Sequence, residues 1–531
     1  MMKVFKGEKR VALLYLIKRG LKKEAGGGVT IFAALIFMVV CSLTIVLIRS
    51  AVFIATVARI DSSCALASES AFAGYSNKVF DKYGIFVLRD SAGAFKRADE
   101  TLRYNMADSP AHLQQTFITG QTFMTDNGGE PFYDQVTDYM MVEGTAESVM
   151  DVFGELKDSK KIESVENIGK MGDKFSKIAD ENLDNDGMWQ RINDLSDGLG
   201  ESKKTSAGDD GVFDGMKREL DKGVAEAIEA AKTPIDPENV PDDRESRNLF
   251  SAFRNIQKIL TGKVTSLVLT DESVSGKKAD TSGWAPNLPG NIDSRDLAKD
   301  LAFNEYLFLK FDSYTDIGGV TGANKPDYEL EYILNGKLCD RENIDETMSK
   351  ILALRHGLNM LWLITNPEKS AEAEALAAGM FAFTLNPLII KAGKYAVMAA
   401  WSYGESICDL KLLYTGKKVP VYKSENTWSL SLGGLLKGSL DPEASKGNEG
   451  QNYEMYLRLL LSFVPSGTRT ARAMDVIEMN MKNMGDRDFR MRECIFSQVL
   501  NAKFTLPYGG RDYSAGYECA YSGNMVTLRS M

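Results

Sequence analysis

Two histidines, six cysteines and one short run of Asn, Asp and Gly are the residues of this 531-residue chain whose types and spacing could do chemistry. His112 and His356 are few for nucleophile–base pairs or zinc sites, which draw mainly on imidazole. His356 falls in ILALRHGLNMLWLI, an apolar helical pattern in which a packed or surface histidine is the expectation. Cys41, Cys64, Cys339, Cys408, Cys494 and Cys519 show no metal-type pair spacing. Five of them follow the N-terminal apolar run, so at least one stays unpaired and disulfides are not expected to carry the fold. Cys494 with Cys519 is the pairing to test. In NLDNDGMWQRIN, Asn182, Asp184 and Asp186 alternate and Gly187 follows, as a calcium loop begins. The twelfth position, which needs a bidentate Glu, holds Asn193, so turn chemistry is the simpler reading.

Other catalytic signatures fail on spacing or context. SLGGLLKGS has glycines and a lysine without the spacing of a phosphate-binding loop, and neither HExxH, GxSxG nor a supported SxxK occurs. Asp242 and Asp243 fall in a solvated charge run. The expectation is therefore a protein that is not an enzyme, with no catalytic, cofactor-binding or metal residue and no cofactor.

The element that would position everything else is a helix. From Val29 to Ile48 there are 20 residues without a charge, bounded by Lys22, Lys23 and Glu24 before and Arg49 after. At about 1.5 Å per residue this matches the ~30 Å hydrocarbon layer of a bilayer. The only polar residues in it are Thr30, Ser42 and Thr44, whose hydroxyls can bond back to their own helix. The run is longer than a secretory signal and lacks the polar face of a core helix, and reads as a transmembrane span. The 28 residues before it carry eight basic and two acidic residues, net +6, so the remainder of the −10 chain carries −16. Positive-inside bias places the N-terminus in the cytoplasm and the bulk outside, at the cell membrane. With no proline before Pro110, the helix is expected to continue as a stalk to Lys82 with Gly84 as its left-handed stop. Ala51, Ala55, Ala58 and Ala65 on that stalk are small enough for another helix to approach closely.

The rest reads as α+β and mainly helical: an extracytoplasmic helical bundle with a small antiparallel sheet. The expected organisation is a basic N-terminus at 1–28, the span and stalk at 29–83, and a small α+β module at 84–168. A polar linker with helical segments at 169–293, a helical bundle at 294–416, and helices with C-terminal strands at 417–531 complete it. In the module, LQQTFITGQTFMTDNGG reads as a hairpin turning at Asp126–Gly129, and its strands are expected to pair with two strands at the C-terminus. Asn366 with Pro367 reads as a helix start, as do Asp293 or Ser294. Leu376–Ile390 is apolar, but Asn386, Pro387 and Lys391 favour a buried helix break over a second span. The acidic bulk argues against nucleic acid.

A basic leader, glycines, an apolar helix opening GVTIFAAL and an alanine-rich continuation make the N-terminus resemble TadE/TadG-type proteins of Tad (Flp) pilus loci. The blocks KVFDKYGIFVLRD, YELEYILNGK with ENIDETMSKILALRHGLN, AAWSYGESICDLKLLYTGKKVPVYK, YEMYLRLLL and FRMRECIF resemble a family of uncharacterised single-pass proteins, mainly of Gram-positive bacteria and often encoded near Tad-like secretion genes. The resemblance implies a setting and no chemistry. Two departures bear on it. Cleavage after Gly28 would put Ala33 where pilins carry a glutamate, which favours an uncleaved anchor, and DSSCA at Asp61 lacks the second serine of the D-x-S-x-S metal motif. The function expected is a membrane-anchored structural or assembly component of a Tad/Flp-like pilus or secretion apparatus, a pseudopilin or TadG-like protein. Its partners would be the lipid bilayer and other membrane proteins of that system. The alternative is a membrane-anchored surface binding or adhesion protein with no pilus role.

Overall fold

An uninterrupted helix, α1, runs over Gly28–Phe72, 45 residues or about 68 Å long. The computed structural model describes residues 28–142, 255–256, 258–260, 262–269, 274–280, 297–381, 387–442, 447, 449–522 and 525–530. The basic leader, the calcium-like run at Asn182–Asn193, Asp242 and Asp243, Asp293 and Ser294, Asn386 of the expected helix break, and the expected linker at 169–293 apart from its described residues within 255–280 lie outside the described residues.

α1 ends ten residues before the predicted stop at Lys82, because side chains from elsewhere take its last carbonyls. Arg97 Nη2 donates to Ala71 O (3.2 Å) and Tyr521 Oη to Phe72 O (2.8 Å). A Cβ at Gly74 would stand 2.0 Å from that same Arg97 guanidinium, so the chain leaves the helix at a residue without one. A short second helix, α2 (Asn77–Tyr83), comes next, and Gly84 does cap it in the left-handed conformation (φ +70°), donating to Phe80 O at 2.7 Å. The single stalk is thus two helices.

Helix α3 (Ser91–Met106) starts where Asp90 accepts from Gly93 N (2.7 Å) and runs back along α1. Its buried face, Ala94, Ala98, Leu102 and Met106, is small enough at its start to let the two helices approach closely. Beyond it lies β1 (His112–Phe123), a single 12-residue strand and not the predicted hairpin. The DNGG signal instead makes a strand-to-helix corner: Asn127, Gly128 and Gly129 all have positive φ, and the Asp126 carboxylate accepts from Phe123 N at 2.8 Å. Helix α4 (Glu130–Val142) leaves that corner.

The C-terminal strands are three, not two: β2 (Ile495–Thr505), β3 (Asp512–Ser522) and β4 (Met525–Ser530). The sheet is antiparallel in the order β1-β2-β3-β4, with His112 opposite Thr505 and Phe123 opposite Ile495. Early and late segments therefore pair as expected. Between them lies a helical body of α5 (Val264–Val268), α6 (Leu297–Lys310), α7 (Glu329–Asn335), α8 (Asp340–Thr365) and α9 (Pro367–Phe381). It continues with α10 (Pro387–Tyr414), α11 (Leu432–Lys437), α12 (Tyr453–Ser462) and α13 (Ser466–Asn483). Asn366 Oδ1 accepts from Glu368 N (3.1 Å) and Lys369 N (3.0 Å), starting α9 as its sequence implies.

Apolar side chains gather into two cores. One joins the outer half of α1, α3 and the sheet; the other fills the helical body together with α2 and α4. They meet where Leu88 and Ile495 exchange both backbone hydrogen bonds (3.2 and 2.8 Å). Because successive residues of an extended chain point to opposite sides, Val87 and Cys494 enter the helical core while Leu88 and Ile495 enter the sheet core.

Candidate functional site

Among the described residues, none covers the apolar run of α1 before Arg49. Every large apolar side chain from Ile31 to Ile48 is exposed, on all sides of the helix. Ser42 and Thr44 return their hydroxyls to Val39 O and Val40 O (2.8 Å each), so no polar group is left open there. From Thr56 the helix acquires a buried stripe of Thr56, Ile60, Ser63, Cys64, Ala67, Ser68, Ala71 and Phe72, at helical three- and four-residue spacing. Besides the bonds to Ala71 O and Phe72 O at its end, this half is tied by Arg59 donating to Asn105 O (2.8 Å) and by Tyr513 Oη donating to Asp61 Oδ1 (3.0 Å).

Of the residues the sequence marks for packing, Ala51, Ala55 and Ala58 are exposed on one side and Ala65 is half-buried. Val29 lies in the first turn of α1 and Ile48 is exposed at the end of the uncharged run. The face that contacts α3 and the sheet within the chain is the neighbouring stripe. Its Ser63, Cys64, Ala67, Ser68 and Ala71 are as small as the predicted alanines, and residue size alone does not distinguish the two faces.

The helical body contains a second constellation that sequence reading did not single out. Arg355 on α8 and Asp409 on α10 are fully buried and paired at 2.9 Å. Arg355 also donates to Pro420 O, Val421 O and Asn359 Oδ1 (2.9 Å each). Lys423, from the loop after α10, lies 2.7 Å from Glu405 Oε1 and 2.6 Å from Asp409 Oδ1. Glu405 takes two further bonds from Ser429 N and Leu430 N (2.9 and 2.6 Å). Two cations and two anions thus neutralise one another out of contact with water. Burial drives Glu405 up to about 6, whereas at Asp409 the same burial is outweighed by Arg355 and Lys423, which hold its carboxyl below the usual range. A readable signal did exist: Arg355 with Asn359, and Glu405 with Asp409, each sit four apart on one helix face within a largely apolar stretch.

A further network runs through α7. Glu329 pairs with Lys325 (2.7 Å, both 1% exposed) and accepts from Asn480 Nδ2 (2.7 Å), which also donates to Tyr83 Oη (2.8 Å). Glu331 accepts from Tyr453 Oη (2.6 Å) and Tyr314 N (3.0 Å), and burial pushes its carboxyl up to about 7. Tyr332 bonds Asp475, which burial raises to about 6. His356 is packed: its Nδ1 lies 2.9 Å from Ser402 Oγ, its ring meets Tyr403 edge-on, and burial lowers it to about 4. All six cysteines, Cys494 and Cys519 included, are free. Among the described residues no group of three or more His, Cys, Asp or Glu is placed to hold a metal ion. Chemically, these buried charges pair with one another and brace helices that are distant in sequence.

The architecture is that of a mainly helical protein with a small antiparallel sheet and an N-terminal helix long and apolar enough to cross a membrane. Residues 242–506 are similar to a family of unknown function (DUF5702). That span holds both buried charge networks except Tyr83, and excludes α1. No curated protein and no solved structure matches the chain.

Proposed function

We propose that this chain is a membrane-anchored, extracytoplasmic structural or assembly component of a Tad/Flp-like pilus or secretion apparatus, working by helix packing and subunit contacts and not by catalysis. The observation that carries this reading is the division of α1: bare apolar surface on every side from Ile31 to Ile48, then an outer half built into the sheet core. A bare apolar cylinder of about 30 Å is unfavourable in water and at home in hydrocarbon. The +6 leader before it supports a cytoplasmic N-terminus. A body whose charges are internally paired suits a rigid subunit. Ala51, Ala55 and Ala58 leave one side of α1 free for a partner helix just outside the span.

Photo-crosslinkers at Ala51, Ala55 and Ala58 in intact cells test the assignment. Capture of other membrane proteins of the apparatus is expected, and bulky replacements at the three positions abolish the association while α1 stays inserted. Unchanged association favours a surface binding protein that hangs from its anchor. A reporter fused at Met531 that is accessible only from the cytosol overturns the orientation.

A further inference from the structure

β2 and β3 are joined by Leu506–Arg511, a loop closed by Leu506 N donating to Arg511 O at 2.9 Å. Its tip holds three consecutive left-handed residues, Tyr508 (φ +63°), Gly509 (φ +119°) and Gly510 (φ +62°). Glycine is at ease there; an aromatic residue is strained. Tyr508 is 57% exposed and joins neither core. Its ring lies 5.3 Å from the Arg49 guanidinium. Arg49, Ser50, Phe53, Ile54, Pro507 and Tyr508 line a shallow cleft of about 390 Å³. Arg49 supplies the single charge of that lining, and Ile54 in it is 68% exposed.

Depth decides what this cleft meets. The uncharged run fills the ~30 Å hydrocarbon layer, and headgroups add about 5–8 Å on each side. Arg49 to Ile54 rises about 8 Å along α1, which is the headgroup layer. Tyrosine favours that layer because it has an apolar ring and a polar tip, and arginine favours phosphate oxygens. We propose that the β2–β3 tip is a second membrane contact: Tyr508 and Pro507 seat in the headgroup layer of the leaflet from which α1 emerges, and Arg49 pairs with the phosphate of a phospholipid lying in the cleft. This rests on α1 spanning the bilayer and adds that the sheet is held against the membrane surface, fixing the angle between body and anchor.

The test uses the full chain with Cys41→Ala and Cys339→Ala, reconstituted in vesicles of phosphatidylcholine and phosphatidylglycerol. A spin label is placed in turn at Tyr508→Cys, Val39→Cys and Ile317→Cys. The ratio of oxygen to nickel-chelate accessibility is expected to be at least threefold higher at 508 than at 317, an exposed loop position of the body. Equal ratios at 508 and 317 with a lipid-buried label at 39 overturn the tip contact and leave the anchor standing. A water-accessible label at 39 overturns the anchor, and the tip contact with it.

Discussion

Tyr521, on β3, donates its hydroxyl to the carbonyl of Phe72, the last residue of α1, across 449 residues of sequence. Its ring also meets Phe72 edge-on at 4.7 Å and stacks on Phe86 at 5.3 Å. Tyr521→Phe keeps the ring contacts and strands a buried carbonyl, a loss of about 1–2 kcal/mol. Tyr521→Ala also opens a cavity and costs about 3–5 kcal/mol. Denaturant midpoints of the detergent-solubilised chain measure both, and equal losses for the two variants would show that the hydrogen bond, not the ring, holds the helix end.

The Arg355–Asp409–Lys423–Glu405 cluster is balanced, so removing one member leaves an uncompensated buried charge. Asp409→Asn is expected to cost about 3–5 kcal/mol. Asp441→Asn, which loosens the exposed ion pair with Lys411 (3.1 Å), changes stability by about 1 kcal/mol or less. Resistance of the helical body to limited proteolysis separates the two.

Glu331 and Asp475 are pushed up to about 7 and about 6 by burial, from ordinary values of 4.5 and 3.8. Each carboxyl therefore holds its proton more tightly in the folded chain than in the unfolded one, and protonation favours the fold. Stability is highest below about pH 4 as far as these two groups contribute, and falls as pH rises through 6 to 7. At about 1.4 kcal/mol per unit, Glu331 alone accounts for roughly 3 kcal/mol. Thermal unfolding between pH 4 and 8 reads this slope, and Glu331→Gln flattens it.

Thiol chemistry tracks burial. Desolvation raises Cys64 and Cys519 to about 12 and also raises Cys408 and Cys494, so all four resist alkylation in the native chain. Cys339 and Cys41 are half-buried. In membranes a maleimide is expected to add once, at Cys339, and after detergent extraction a second time, at Cys41. Peptide mass mapping counts the additions, and a reductant leaves the unfolding midpoint unchanged.

Much of this architecture is written locally. The uncharged run at Val29–Ile48, the Asn366–Pro367 start of α9 and the Gly84 stop each depend on residues within a turn or two, so periodicity and capping chemistry reveal them. The same locality misleads at Asp126–Gly129. Three left-handed residues suit a hairpin and a strand-to-helix corner equally, and the packing of α4 into the helical core chooses between them. Where α1 stops is not local either, because Arg97 and Tyr521 occupy its last carbonyls. Nor is the choice of the Thr56–Phe72 stripe over the alanines at 51, 55 and 58, since small residues cover both sides of the helix and only the position of α3 and β3 selects one. Pairing of Asp409 with Arg355 and Lys423 is of the same kind: a charge on a buried helix face announces that a partner is needed, and the packing of α8 and the loop after α10 against that face supplies it. Short-range hydrogen bonding and apolar periodicity set the elements, whereas their ends, faces and buried charges answer to atoms that only the folded chain brings within about 3 Å.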